Sequence, residues 1–476
     1  MKAAIALFAI AACSSPYQGG SGTPAWVSET GSYSSPAMNP SSTIAARYGD
    51  VATKIIAHAR ADRGAFAKLA YLTDRIGHRL SGSAALDRAI EWAVKTMKDE
   101  GFDARAERVM VPHWVRGFEE ATITAPVERP MKILGLGGSV ATPKGGITAP
   151  VVVVKSFEEL DAKGAQLKGT IVLYDVALPP YSPTKGSGYS DIAPYRSRGA
   201  MRAAKHGAAA VLVRSVTAHS LRTPHTGSTR YEDGTPKIPA ASVTVEDSML
   251  IARLAAQGPV TVKLRIESQL LPDAPSANVI GELRGKEKPD EIVMIGAHID
   301  SWDVGTGAND DGAGCVMMMQ VLTTLKHLGL QPKRTIRVVL FTNEENGLKG
   351  AEAYAKDHAA ELPKHVFALE ADSGSFAPRG FSIETKTPNP KIVAHYAEIA
   401  SLLAPIGATR VTAGGSGADL IPLIPQGVVG IGLDVDGKTY FDTHHTEADT
   451  LDKVDPQTLA DGVAAVAVLA YVAADQ

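Results

Sequence analysis

Histidines and carboxylates recur at short, ordered spacings over the last third of this 476-residue chain. They fall in Ala297-His298-Ile299-Asp300, Asn309-Asp310-Asp311-Gly312, Glu344-Glu345, Glu370-Ala371-Asp372 and His444-His445-Thr446-Glu447-Ala448-Asp449. A mixed His and carboxylate set without thiolate suits zinc, or a similar divalent ion held for hydrolysis. In His298-Ile299-Asp300 the first and third residues share one side of an extended segment. Asp300 is then placed to accept the second imidazole N–H and fix its tautomer, and His445 with Asp449 predicts a similar pair from a loop. Asp310 lies between Gly305-Thr306-Gly307 and Gly312-Ala313-Gly314, whose backbone freedom lets its carboxylate reach between two ions. A lone His after a strand is usually structural and a Glu-Glu pair is usually a solvated turn. The functional reading rests on their joint occurrence.

The elements that must position these residues are legible as alternation. From Asn278 the pattern predicts strands at 278–284, 291–297, 335–342, 366–371 and 428–433, and helices at 312–328, 348–358, 388–403 and 456–473. Asp455-Pro456 supplies an N-cap and a first-turn proline for the last helix. Such alternation predicts an α/β fold with a mostly parallel central sheet between helices. His298, Glu344-Glu345 and Asp372 each follow a strand, so three strands deliver polar groups to the edge where ligands gather. Upstream, 42–60 and 64–75 read as helices, Ser81-Gly82-Ser83 caps a third, and Pro112 confines a strand at Val109–Trp114 to a sheet edge. Residues 125–268 read differently, as a small β-rich insert. Short strands are predicted at Val151–Val154, Ile171–Tyr174, Val211–Val213 and Ser242–Val245, with a helix near 198–206. His206, His219 and His225 of this insert read as non-ligands.

Taken together, His298-x-Asp300, Asn309-Asp310-Asp311-Gly312, Glu344-Glu345, Asp372 and His445-x-x-x-Asp449-Thr450 resemble the co-catalytic zinc exopeptidases of the aminopeptidase and glutamate carboxypeptidase group. The stretches 296–305 and 328–335 resemble its glutamate carboxypeptidase branch, and 169–174, 207–213 and 238–243 resemble a protease-associated domain. The resemblance implies a phosphorylase/hydrolase-like sheet and two zinc ions per chain. Asp310 would bridge the ions, His298 and Asp372 would complete one site, and Glu345 and His445 the other. Glu344 would be the general base. His445 is preferred to His444 because the family pattern places the ligand four residues before Asp449. A cis peptide at Asp310-Asp311 is implied as well, and so is a homodimer. Ser416 and Asp419 resemble part of a substrate-facing loop, and Tyr440 is a further candidate for the pocket wall. The substrates implied are short peptides. An aminopeptidase shares every metal residue and is the first alternative. A glutaminyl cyclase with one zinc, or a receptor-like ectodomain that has lost its ligands, stands further off.

Composition agrees with this picture. Apolar residues make up 45% of the chain and the net charge is −3, which gives no bias toward nucleic acid or acidic membranes. No internal apolar run reads as a membrane span. The domains expected are a signal at 1–12, a Ser/Gly/Pro-rich tether at 13–41, the first part of the catalytic domain at 42–124, the insert at 125–268 and the metal-bearing part at 269–476. Ala3–Ala12 followed by Cys13-Ser14-Ser15 resembles a lipoprotein signal, which implies export and a lipid anchor at Cys13 in the periplasm or at the cell surface. Without lipidation the protein would be secreted. The only other cysteine, Cys315, reads as buried, so no disulfide framework is expected. Mass spectrometry of the native protein should find an N-terminus at Cys13 carrying lipid, and Cys13→Ala should alter processing. An unmodified N-terminus well beyond residue 13 would overturn the anchor.

Overall fold

The computed structural model describes residues 33–34, 43–183, 186–219 and 221–476. The signal, Cys13 and most of the tether lie outside the described residues. Within the stretch read as tether, Tyr33–Ser34 forms a short strand on Arg410 and Val411.

Among the described residues, nine strands form the main sheet. Their order is Tyr33–Ser34, Arg410–Ala413, Pro378–Glu384, Gly430–Val435, His365–Glu370, Lys288–His298, Arg334–Phe341, Gln269–Leu283 and Asp103–Val115. The four strands from Gly430–Val435 to Arg334–Phe341 run parallel, as expected. The flanks turn antiparallel at Gln269–Leu283 and at Pro378–Glu384, so the whole sheet is mixed. Central strands are apolar along their length because both faces are covered. Val293, Ile295 and Ala297 pack into one core and Ile292 and Met294 into another, the period of two expected of a strand. Helices Thr43–Ala61, Ala313–His327 and Pro456–Asp475 cover the first face, and Lys349–Asp357 lies on the second. Pro112 sits in the edge strand Asp103–Val115, and the pairing with Gln269–Leu283 slips its register beside it.

Caps behave as the sequence predicts. Ser83 accepts from Leu86 N–H, and Asp455 accepts from Gln457 and Thr458 N–H to start the last helix. That helix, Pro456–Asp475, corrects one expectation, because by length and mean hydropathy it could cross a membrane. It is instead a core helix, with 83% of its apolar window buried.

Residues Glu119 to Ile266 build a second sheet of eight strands with its own two cores. Strands Ile147–Val154, Ile171–Tyr174 and Ala210–Arg214 cover the predicted runs, and Ala240–Val243 lies two residues before the expected Ser242–Val245 because Thr244 caps a helix that starts at Val245. The helix begins earlier than expected, at Tyr189, and carries Pro194 inside it. That proline obscured the first two turns, and those turns face the chemistry.

Strands Pro378–Glu384 and Arg410–Ala413 escaped the sequence pattern. They join through Gly380, at φ +145°, whose Cβ position lies 1.7 Å from the Arg410 carbonyl oxygen. Gly380→Ala should therefore cost about 2 kcal/mol or more. A thermal or urea melt checks this, and an unchanged midpoint would show that the strand pair yields freely.

Candidate metal centre

Each polar cluster leaves the C-terminal edge of a parallel strand. His298 ends Lys288–His298, and Glu344 and Glu345 follow Arg334–Phe341. Asp372 follows His365–Glu370, and the His444-His445 turn follows Gly430–Val435. These ends converge on Asp310. His298 Nε2 lies 3.2 Å from Asp310 Oδ1 and 3.3 Å from Asp372 Oδ1. His445 Nε2 lies 3.2 Å from Asp310 Oδ2 and 3.1 Å from Glu345 Oε2. One carboxylate thus presents one oxygen to each of two histidine–carboxylate sets.

The donors fit divalent cations. His298 Nε2, Asp310 Oδ2 and Asp372 Oδ1 are buried without a hydrogen-bond partner, a state polar groups rarely keep unless something else binds them. Two neighbours compete for the same space. Asp311 lies near His298 and Asp372, but its carboxylate is occupied by the N–H groups of His298 and Gly314, each at 3.1 Å. His444 Nε2 stands 3.7 Å from Asp310 Oδ2 and stacks on His445, with ring centroids 3.6 Å apart. His445 alone also meets Glu345, which favours it over His444.

Two expected pairings are corrected. The Asp300 carboxylate stands 3.9 Å from His298 Nδ1, while the Asp300 main-chain carbonyl accepts that N–H at 3.0 Å. The chain turns as the strand ends, so the carbonyl swings under the ring. The freed carboxylate accepts the N–H groups of Glu344 and Glu345, at 3.0 and 3.3 Å. Asp449 does not pair with His445. Its oxygens accept Asn309 N–H at 2.9 Å and Asp310 N–H at 3.1 Å, shaping the turn that carries the expected cis peptide Asp310-Asp311.

Several supports were invisible in the sequence. Fully buried Arg79 donates to the carbonyls of Ile299, Thr306 and Gly307 at 2.7–3.1 Å and so fixes the loop after His298. Buried Cys315 donates its thiol to His298 O. Trp302 N–H donates to Glu345 Oε1 at 3.2 Å. The insert also takes part. Thr226 N–H donates to His445 O at 3.0 Å, and Thr226 O lies 3.3 Å from His445 Nδ1. Arg196 Nη1 reaches the same carbonyl at 3.3 Å, and its Nη2 donates to Tyr189 OH at 2.5 Å. Neither a main-chain carbonyl nor a lone Arg carries a motif. His206 pairs with Asp161, His219 pairs with Asp442, and buried His225 is held by burial far below its usual pKa, at about 3.

A cavity of about 820 Å³ lies over the donors, lined by Asp310, Glu344, Glu345, Asp372, Tyr440 and His445, with residues of the insert opposite. Tyr440 is one of the wall residues. Ser416 and Asp419 are not. Ser416 turns inward to Glu384, at 2.8 Å, and Asp419 is buried with its N–H on Glu370.

Residues 278–470 match the model of peptidase family M28. Carboxypeptidase Q of Mus musculus is 41% identical over 435 residues, covering 90% of each chain. The M28 peptidase precursor from Shewanella amazonensis SB2B is 38% identical, with a TM-score of 0.85 over 90% of this chain and 97% of that one. The zinc aminopeptidase BSAP from Bacillus subtilis is 23% identical with a TM-score of 0.61, covering 87% of this chain and 97% of that one, and shares the fold. The chain belongs to peptidase family M28. The expected α/β fold and the expected class, a zinc-dependent exopeptidase, stand with that membership.

Without cations the centre is a buried excess of negative charge. Burial, then the carboxylates of Asp372, Asp300 and Asp310, push Glu344 up to about 8 despite His298. Burial likewise raises Asp449 to about 7. Burial works against ionised Asp310, but the His298 and His445 imidazoles beside it hold it well below the usual range. For Glu344 and Asp449 the folded pKa exceeds the unfolded one. Their contribution to stability is therefore full below about pH 4 and lost as pH rises through about 7–8. Metal-free protein should melt at falling temperature between about pH 5 and 8, and the gain in melting temperature on adding zinc should widen over that interval. A zinc-induced gain independent of pH would contradict the charge argument.

Proposed function

We propose that the protein is a zinc-dependent exopeptidase acting on short peptides, with two zinc ions held at the strand ends. His298, Asp310 and Asp372 would hold one ion, and Asp310, Glu345 and His445 the other. The observation that carries this reading is the division of the Asp310 oxygens between two donor sets at 3.2 Å each. Bound there, the ions would polarise the scissile carbonyl and acidify the attacking water.

The remaining work belongs to the chain. Glu344 lines the cavity, and no ion pair ties its carboxylate to either histidine. It takes the proton from the attacking water and passes it to the leaving amine. Its main chain is pinned by Asp300, so the carboxylate works from a fixed base. The neighbouring Glu345 carboxylate faces His445 and is braced by Trp302 N–H. Two adjacent glutamates thus take different roles because only one points at a donor set. Tyr440 closes the cavity wall. Export with a lipid anchor at Cys13 remains part of this reading.

Elemental analysis and turnover on a peptide library test it together. Wild type and Glu344→Gln should each hold about two zinc ions per chain, while Glu344→Gln loses turnover on the order of a hundredfold or more. Glu345→Gln should lose metal as well as activity. A stoichiometry near one that added zinc cannot raise, or near-normal turnover in Glu344→Gln, would overturn the proposal.

A further inference from the structure

The two halves of the metal centre are braced by different parts of the chain. In one half, His298 ends a central parallel strand and Asp372 follows the next. His298 Nδ1 donates to Asp300 O at 3.0 Å, its main-chain N–H donates to Asp311 Oδ2 at 3.1 Å, and its carbonyl accepts the Cys315 thiol. Among the described residues none of these partners belongs to the insert. The half made by Glu345 and His445 is different. Trp302 N–H braces Glu345 Oε1, and the Trp302 ring rests on the insert at Gly137, where a Cβ would stand 2.1 Å from it. His445 Nδ1 faces Thr226 O at 3.3 Å, and Thr226 N–H donates to His445 O at 3.0 Å.

His445 needs that support. Its backbone lies at φ +60°, in the left-handed region that residues with a side chain seldom take. Such a conformation persists where the surroundings over-determine it, and the Thr226 N–H on its carbonyl supplies one restraint from across the seam. Thr226 O then sets the imidazole. An Nδ1–H given to a carbonyl leaves Nε2 free, and Nε2 is the atom that meets Asp310 and Glu345. Arg196 Nη1 stands 3.3 Å from both that carbonyl and His445 Nδ1, and as a donor only it too addresses the carbonyl. Thr226 is itself fixed within the insert. Its Oγ1 donates to Gly135 O at 2.8 Å. Gly137 N–H donates to Gly227 O at 3.0 Å, and Gly137 O accepts Thr229 N–H at 2.8 Å. Arg116 ties the same strip to the catalytic side, donating to Gly135 O and pairing with Asp303, each at 2.5 Å.

We propose that Thr226 is a positioning residue for the zinc ligand His445, so that seating of the insert sets the zinc affinity of the Glu345–His445 half and leaves the His298–Asp372 half unchanged. This rests on the two-ion reading and adds an asymmetry to it. Linkage makes the effect reciprocal, since an ion that binds better with the insert seated must hold the insert in its seat.

Zinc titration of the full-length protein against a chelator of known affinity tests the first part. Gly137→Ala pushes the strip carrying Thr226 away from Trp302. It should weaken one ion on the order of tenfold to a hundredfold and keep the other within about twofold of wild type. Arg116→Ala, which removes the Asp303 pair at the same seam, should act in the same direction, so the result does not hang on one variant. Two affinities that fall together would mean a general loosening of the fold and would overturn the inference, as would wild-type affinities in both variants. Hydrogen exchange over residues 222–230 reads the reciprocal effect without turnover. Zinc should slow it in wild type and in His298→Ala, and leave it unchanged in His445→Ala. Protection that persists in His445→Ala, that is lost as readily in His298→Ala, or that is missing in wild type would also overturn it. If wild type holds only one ion however much zinc is added, the two-ion reading fails, while the exchange arm still decides whether that ion and the insert are linked through His445.

Discussion

The centre depends on keeping several carboxylates ionised, close together and away from water. Each would repel its neighbours and lose hydration, so isolated burial would favour their protonated forms. The fold answers with geometry. Asp310 divides its oxygens between two imidazoles. Asp300, Asp311 and Asp449 turn their oxygens to main-chain N–H groups and so leave the shared space. Fully buried Arg79 lends its charge to Asp449, Asp300 and Asp311 while its hydrogen bonds go to carbonyls. Acidic residues in this region thus fall into two groups, those that face the donor site and those that hold the loops carrying it.

This division explains what the sequence could and could not reveal. Parallel strands were legible because burial on both faces leaves an unbroken apolar run, as in Ile292–Ala297, and a polar residue straight after it marks the edge. The same rule found His298, Glu344, Glu345 and Asp372. It misread Asp300 and Asp449, because spacing gives the side of an extended chain but not which oxygen, main-chain or carboxylate, meets the imidazole. The short outer strands were missed where Gly380 and Pro378 break the pattern. The first turns of the helix Tyr189–Lys205 were hidden by Pro194.

The insert was the larger omission. It read as a separate β-rich body without ligands, and among the described residues none of its histidines joins the clustered donor atoms, although buried His225 lies beside His444 and His445. Yet Thr226 contacts His445 through both its N–H and its carbonyl, and Arg116 of the joining segment is bound to Asp303 at 2.5 Å. Gly137 is part of the same seam, since a Cβ there would stand 2.1 Å from the Trp302 ring. Trp302 in turn lies 5.6 Å from the His445 ring. Contacts of this kind use main-chain atoms, one ion pair and the space left by a glycine, and none of these forms a recognisable spacing in the sequence.

The clasp between Thr226 and His445 also bears on when the protein acquires its chemistry during synthesis. The whole insert is translated before any of the five donors, and His445 is translated well after Asp372. A chain lacking its C-terminal part would therefore carry Thr226 and four of the clustered donors without the residue that Thr226 contacts. The donor cluster around Asp310 is complete only when the C-terminal part of the chain lies between strand ends and insert. The fold thus makes the last member of the cluster depend on completion of the polypeptide.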